Sequence, residues 1–473
     1  MTISVSPSPV PNSTELNLAT TLPQPDAYLN ELLDTLSTVK TEGWLQSLRD
    51  RALDRARQLA LPTTRDEEWR FTDLSPLRQV KFNVQKYYDT SSLKPEFWPE
   101  TANSRLVFVN GVFAPELSTI TYGTSSLREA AKSASTAIAS LPKEVVVSNL
   151  ANLPADRSQR LQKYLAQSEG AQEVFTALNT AGINDVAVIW VPENTVVETP
   201  LHVVFLSTGD VPIISLPRCL VIAETAAQVT VIEEYKNYKE TKSAEEEVYF
   251  TNGVTEIFVE ENAKVIHTRL QWDSAEAFHI GKTAVTQARY SRYTCNAISL
   301  GAKLSRHNLE ILQTGAQTET ILNGLTIITG KQLADTHSAI AFNCPGGIGR
   351  QIHKTIVSDR AHAVFNGKIF VPKSAFLTDA SQLNRNLLLS SKARVDTKPQ
   401  LEITADNVKC SHGATVSQLE DDAIFYLQSR GINEKNARSL LISAFAAEII
   451  NQIPLDSERQ KLAQFVNSLR TDS

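Results

Sequence analysis

From Asp185 to about Val416 the chain repeats short β-branched runs, and nothing in that stretch reads as a helix. Runs fall at 186–191, 202–206, 219–223, 229–232, 257–259 and 265–270, then at 311–312, 325–328, 365–371 and 387–389. Turn-like pairs such as Glu261-Asn262, Gly301-Ala302, Gly315-Ala316 and Ser391-Lys392 separate them. A region this long can hide its strand faces only against other strands, so it predicts an all-β body. Two architectures compete. Loose recurrence without a strict period suggests a solenoid, a parallel β-helix of stacked coils. Asn323-Gly324 and Asn366-Gly367, each between apolar runs, are ordinarily hairpin signals and favour an antiparallel sandwich. The local pattern leaves both open.

The flanks read differently. Residues 1–25 are rich in Pro, Ser and Thr and predict a mobile leader. Tyr28, Leu32, Leu33 and Leu36, then Trp44, Leu45, Leu48, Ala52 and Ala56, recur at helical spacing until Pro62. In Glu67-Glu-Trp-Arg-Phe-Thr-Asp-Leu74 the expected role is packing by Trp69 and Phe71. Residues 106–113 predict strand, Asn-Gly turn, strand, whereas 130–139 and 161–178 read as helices. Past the β body, 421–428 predicts a short helix ended by Arg430-Gly431. Asn433 is a candidate N-cap for a helix carrying Ala437, Leu440, Leu441, Ala444, Phe445 and Ile449. Pro454 ends that helix, and Leu462, Phe465, Val466 and Leu469 mark a last one. The resulting division is a leader at 1–25, a mostly helical domain at 26–180, a β core at 181–418 and a helical domain at 419–473.

Composition removes several functions. A net charge of -6 argues against a general nucleic-acid surface, which needs a basic patch. No apolar run approaches the ~18 residues of a membrane span. Cys219, Cys295, Cys344 and Cys410 lie far apart without a C-x-x-C, which fits free thiols in a reducing compartment. No Lys or Arg precedes Lys40, so neither a secretory nor a transit signal is recognisable, and a cytoplasmic location is expected. The 324–332 stretch imitates a phosphate loop, but five residues separate its glycines and Gln332 stands where a hydroxyl should hold Mg²⁺. Gly346-Gly-Ile-Gly349 lacks the third glycine and the βαβ setting of a dinucleotide site. No nucleophile is paired with a base, so no enzyme is indicated.

One stretch carries candidate chemistry: Ala405-Asp-Asn-Val-Lys-Cys-Ser-His-Gly-Ala-Thr-Val416. Cys410 and His412 stand two apart in a predicted strand, hence on one face with Cα atoms roughly 6.6–7 Å apart. A thiolate and an imidazole so placed can reach one metal or cluster together, but structural zinc and iron–sulfur sites usually want four protein donors. Remaining donors would have to come from elsewhere, including another chain. The competing reading is a buried Cys beside a hydrogen-bonded His. Of the two, His412 is the stronger donor candidate, because an unperturbed thiol is mostly protonated near pH 7.

The same stretch carries a resemblance. Val408-Lys-Cys-Ser-His-Gly-Ala-Thr415 followed by Phe425-Tyr-Leu-Gln-Ser-Arg-Gly-Ile432 resembles the SufB/SufD family, in the form of its SufD branch. Further matches are Val364-Phe-Asn-Gly-Lys-Ile-Phe-Val371, Asn386-Leu-Leu-Leu-Ser390, Lys398-Pro-Gln-Leu-Glu-Ile403, Glu67-Glu-Trp-Arg-Phe-Thr72 and Val109-Asn-Gly-Val-Phe113. Phe342 stands near where the family pattern would place a histidine, so no metal role is assigned around Cys344. The resemblance implies a mainly β fold, a right-handed parallel β-helix core flanked by N-terminal and C-terminal helical domains. It implies a non-enzymatic subunit of an iron–sulfur cluster assembly scaffold. Such a subunit pairs with a SufB-like chain through the β-helix and binds a SufC-like ABC ATPase through the C-terminal helices. It holds no tight cofactor alone and meets a transient iron or iron–sulfur cluster in the complex. The rival readings are an exported β-helix polysaccharide-active enzyme and a stand-alone metal-binding protein.

Overall fold

The computed structural model describes residues 26–38, 40–84, 89–91, 93–122, 141–168, 170–209, 211–238 and 247–469. The leader at 1–25 and the helix expected at 130–139 lie outside them. The β body is a parallel β-solenoid of about eight turns with helices at both ends, as the family resemblance implied. Each turn gives one strand to each of two facing sheets. Sheet I holds β1 (Ser104–Val109), β6 (Leu201–Ser207), β9 (Gln228–Asn237), β11 (Lys264–Asp273), β13 (Arg292–Gly301), β15 (Glu319–Ile328), β17 (Ile348–Val357), β19 (Asp379–Leu388) and β21 (Lys409–Ser417), in that order. Sheet II runs from β4 (Val146–Asn149) and β5 (Ala187–Val191) through β8 (Arg218–Ala223), β10 (Tyr249–Val259), β12 (Phe278–Gln287), β14 (Leu304–Gln313), β16 (Leu333–Phe342), β18 (His362–Val371) and β20 (Arg394–Ile403). From β6 and β8 onward every pairing along these paths is parallel. The short β2 (Val112–Phe113) and β3 (Thr119–Ile120) pair antiparallel with β1, and β7 (Ile213–Ser215) adds to β10. Asn110 and Gly111, both at positive φ, make the turn expected between β1 and β2.

One corner of the coil explains the recurrence without a period. Asn194, Ala226, Asn262, Tyr290, Gln317, Gly346, Leu377 and Asn407 all have positive φ. Each amide from Asn194 to Leu377 donates to a carbonyl one turn further on, for example Asn262 to Arg289 and Leu377 to Asn407, both at 3.0 Å. A left-handed residue costs roughly 1–2 kcal/mol without a glycine, and this ladder of hydrogen bonds offsets it. The intervals between members are unequal, so coil length varies while the corner geometry does not.

Asn323-Gly324 and Asn366-Gly367 form no hairpins; they lie inside β15 and β18, in parallel register. Both glycines face the interior, where a Cβ at Gly324 would sit 2.0 Å from His353 Nδ1 and one at Gly367 2.2 Å from Gln382 Nε2. Each glycine is there to make room for a side chain from another strand. Asn323 and Asn296 link along the outer face, Nδ2 to Oδ1 at 2.9 Å.

The helices cover the two outer faces. α1 (Ala27–Ser37) is capped by Asp26, and its Leu29, Leu32, Leu33 and Leu36 pack with Phe250, Phe278, Ile280 and Leu304 on sheet II. α2 (Gly43–Ala56) follows, then the single turn α3 (Ser75–Arg78). The helix expected over 161–178 is instead two, α4 (Ala155–Leu161) and α5 (Val174–Ala181). Between them Ala166 and Gly170 take positive φ, and the amides of Ala166 and Ser168 turn to the Glu256 carboxylate. At the other end lie α6 (Asp421–Ser429), α7 (Glu434–Ile450) and α8 (Asp456–Ser468). Asn433 caps α7 by accepting the Asn436 amide at 2.9 Å, as expected. Ile442, Ile449, Leu462 and Val466 bury against Ile298, Leu325, Ile356 and Leu387 of sheet I. Burying each such side chain contributes about 1.5–3 kcal/mol, which fixes the tail to the body.

Candidate functional site

β21 is the last strand of sheet I, paired with β19 on one side only. Period-2 alternation puts Cys410 and His412 on the same face, opposite Ala380 and Gln382 in register. That face looks into the solenoid: Cys410 is half-buried against the interior cluster that includes Ala380 and Ala405. No further coil covers His412, and it is exposed. Burial pushes the Cys410 thiol above its usual value; a backbone hydrogen bond at Ala380 opposes this and nearby Asp379 adds to it. The thiol is therefore protonated near neutrality and needs a cation beside it to become a ligand. Among the described residues no group of three or more His, Cys, Asp or Glu is placed to hold a metal. The fold puts the pair on one face of β21, and the described residues supply no third donor of that kind.

Beneath the pair runs a polar file that no sequence motif marks. Gln382 donates through Nε2 to Gln351 Oε1 at 2.8 Å, and Gln351 donates to Ser338 Oγ at 2.7 Å. Thr397 donates to Asn384 Oδ1 at 2.8 Å, and Asn386 Nδ2 donates to the same oxygen at 2.6 Å. Deeper inside, His267 lies 2.9 Å from Glu233 and 3.0 Å from the Tyr293 hydroxyl. Burial disfavours the His267 cation, but Cys295 and Glu233 outweigh it and raise its pKa to about 9. The available signal was alternation within the strand, Gln382-x-Asn384-x-Asn386, with every second position polar where a core should be apolar. The seven histidines other than His412 all have hydrogen-bonding or ion-pair partners in the fold.

Comparison with known proteins decides what this fold is. Residues 205–445 match the family model for the SufBD core domain of SUF system FeS cluster assembly, and residues 34–203 match that for the SufBD protein N-terminal region. An iron–sulfur cluster assembly SufBD family protein of Synechocystis sp. is 46% identical over 453 residues, covering 93% of this chain and 96% of the relative. The chain belongs to the SufB/SufD family. A chloroplastic protein of Arabidopsis thaliana, ABCI7, is 35% identical over 93% of this chain and 89% of its own length. The iron–sulfur cluster assembly protein SufD of Escherichia coli is 32% identical over 85% and 88%.

The SufB/SufD motif at Glu67–Thr72 has a wider role than the packing expected of it. Trp69 does pack, 5.4 Å from the Phe175 ring and beneath the Arg306 guanidinium at 3.8 Å. The polar residues of the motif strap the N-terminal region onto sheet II. Glu68 pairs with His337 Nδ1 at 3.2 Å, His337 Nε2 with Asp335 at 3.0 Å, and Asp335 accepts from Thr72 at 2.6 Å and Arg306 at 2.5 Å. Glu67 meets Lys398 at 2.6 Å. Asp335 and His337 are two apart on β16, a Cys410/His412-like spacing that carried no recognisable motif. No described helix is long and apolar enough to cross a membrane.

Proposed function

We propose that this chain acts as a SufD-type, non-enzymatic scaffold subunit in the cytoplasm, where iron–sulfur clusters are assembled. In this reading the open end of the β-helix pairs with a SufB-like subunit. The observation that carries it is an incomplete donor pair, Cys410 and His412, on an uncovered terminal coil. Iron or a nascent cluster is cargo there, held transiently, with the partner supplying the missing donors; no cofactor stays bound to the isolated chain. The names of the E. coli and Synechocystis relatives, both iron–sulfur cluster assembly proteins, support the role.

A SufC-like ABC ATPase is assigned to the C-terminal helices. Support comes from α6, where Phe425 and Tyr426 are 70% and 58% exposed in a helix otherwise anchored by buried Ile424. The lack of a phosphate loop in this chain fits ATP being handled by a partner. The test is co-purification from native extract followed by iron and sulfide analysis. His412→Ala should lower cluster content while subunit ratios and ATP hydrolysis stay at wild-type levels, and Cys410→Ser should do less. Full cluster content in His412→Ala removes that residue from the site, and recovery of neither partner refutes the reading.

A further inference from the structure

The last helix is held to the β-helix around a buried acid that forms no ion pair. Leu462 and Val466 of α8 pack into sheet I, and Phe465 meets Trp272 edge-on with ring centroids 5.1 Å apart. Into this seam the first turn of α8 sends Glu458, which is 0% exposed, towards the charge of Glu234 on β9, also 0% exposed. Neither carboxyl oxygen of Glu458 has a hydrogen bond of ordinary geometry, and neither does the Trp272 indole N–H that faces it.

The surrounding cations are committed to other groups. Lys236 Nζ lies 3.0 Å from Glu234, and His202 Nε2 is 3.2 Å from the same oxygen. His202 itself stacks on Trp98 at 4.4 Å and shares its Nδ1 with Thr101 Oγ1 at 3.1 Å. Lys461, on α8, sits over the Trp272 ring at 4.9 Å. Arg459 pairs with Asp456, and Glu100 takes the Ser457 amide and hydroxyl at 3.0 and 2.7 Å. An ionised Glu458 would thus be a second buried negative charge beside Glu234 with no ion-pair partner, an arrangement that normally keeps one of two acids protonated.

We propose that Glu458 carries a proton while α8 is seated and that loss of this proton releases α8, so that the C-terminal helix is a proton-controlled latch. The direction follows from linkage. Burial raises the Glu458 pKa most, Lys461 opposes, Glu234 raises it further, and the result is about 8 against an ordinary 4.5. Between those values the seated helix holds a proton that the released helix gives up, so seating weakens as pH rises and levels off above about 8. The latch concerns this chain's own contacts and does not depend on the partners proposed above.

Hydrogen exchange on the full chain from pH 6 to 9 tests it, with rates corrected for intrinsic exchange. In the wild type the opening of α8 amides should rise about tenfold per pH unit up to about pH 8, then flatten. Amides of β13 and β15 should not follow. Glu458→Gln should abolish the slope. Glu458→Met, similar in length and unable to ionise, provides the same readout if the amide variant does not fold. A flat wild-type profile, a slope that persists in both variants, or β13 amides rising in parallel with α8 would each overturn the latch.

Discussion

Replacing Arg218 with methionine probes what fastens the N-terminal region to the β-helix. Arg218 and Glu256 sit on neighbouring strands of sheet II with fully buried side chains, Nη2 donating to Oε2 at 2.5 Å and Nε to the same oxygen at 3.2 Å. The guanidinium also donates to Asn179 Oδ1 at 3.0 Å and Thr180 Oγ1 at 3.3 Å in α5. Glu256 in turn accepts the Ala166 amide at 3.0 Å and the Ser168 hydroxyl at 2.8 Å. Methionine fills most of the volume but strands an ionised carboxylate, a loss of about 3–5 kcal/mol. The bonds from Ala166 and Ser168 still satisfy part of Glu256, which places the cost near the lower bound, about 3 kcal/mol. Glu256→Gln alone strands the guanidinium instead and should cost a similar ~3 kcal/mol. With both changes no buried charge remains, and what is left is an unmet acceptor at Asn179, one bond lost at Thr180, whose hydroxyl still donates to the Thr176 carbonyl, and looser packing. The double variant should therefore lose about 3 kcal/mol, not about 6, a coupling of about 3 kcal/mol. Urea unfolding of the four proteins, followed by circular dichroism, measures the cycle. Additive losses, or an Arg218→Met cost below about 1 kcal/mol, would refute the claim that this pair is the buried fastening.

Gly367→Ala should cost about 1–3 kcal/mol in the same assay, because its Cβ would meet Gln382 Nε2 at 2.2 Å. Gly413→Ala, whose nearest neighbour is Leu383 Cδ1 at 3.5 Å, should stay within about 0.5 kcal/mol of wild type. The Glu67–Thr72 strap should be firmest between about pH 4.5 and 6.5. Burial opposes the His337 cation, but Asp335 and Glu68 outweigh it and raise its pKa, so its contribution is lost as pH rises through that raised value. Glu68, held low chiefly by its His337 hydrogen bond, and Asp335, where burial is outweighed by Arg306 and His337, lose theirs as pH falls. Limited proteolysis of the strap against pH should show both limbs, and His337→Gln should remove the upper one. Phe425→Ser combined with Tyr426→Ser should abolish ATPase pull-down and leave the urea midpoint unchanged, since both side chains are exposed; retained binding would place the dock elsewhere.

A solenoid separates what is near in sequence from what is near in space by a whole coil. Thr72 reaches Asp335, Asn366 reaches Glu68 and Arg306 reaches the Glu68 carbonyl across hundreds of residues. Such contacts leave no periodic trace, because the outer face of one strand need only suit whatever is laid upon it. The same holds for Glu458, which reads as an ordinary first-turn acid at a helix start and becomes an unpaired buried one only against Glu234.

The sequence by itself determined the elements whose causes are local. Helical stripes from Tyr28 to Ala56, the Asn433 cap, the Asn110-Gly111 turn and the strand around Cys410 and His412 depend on neighbours within about four residues, and all are where their patterns put them. Tertiary structure alone decided that Gly324 and Gly367 are interior clearances and not hairpin turns, since their reasons, His353 and Gln382, arrive from other turns of the coil. It also decided which way the Cys410 and His412 face looks. Alternation makes the two residues share a side, but only stacking turns that side inward, and only the end of the stack leaves His412 open.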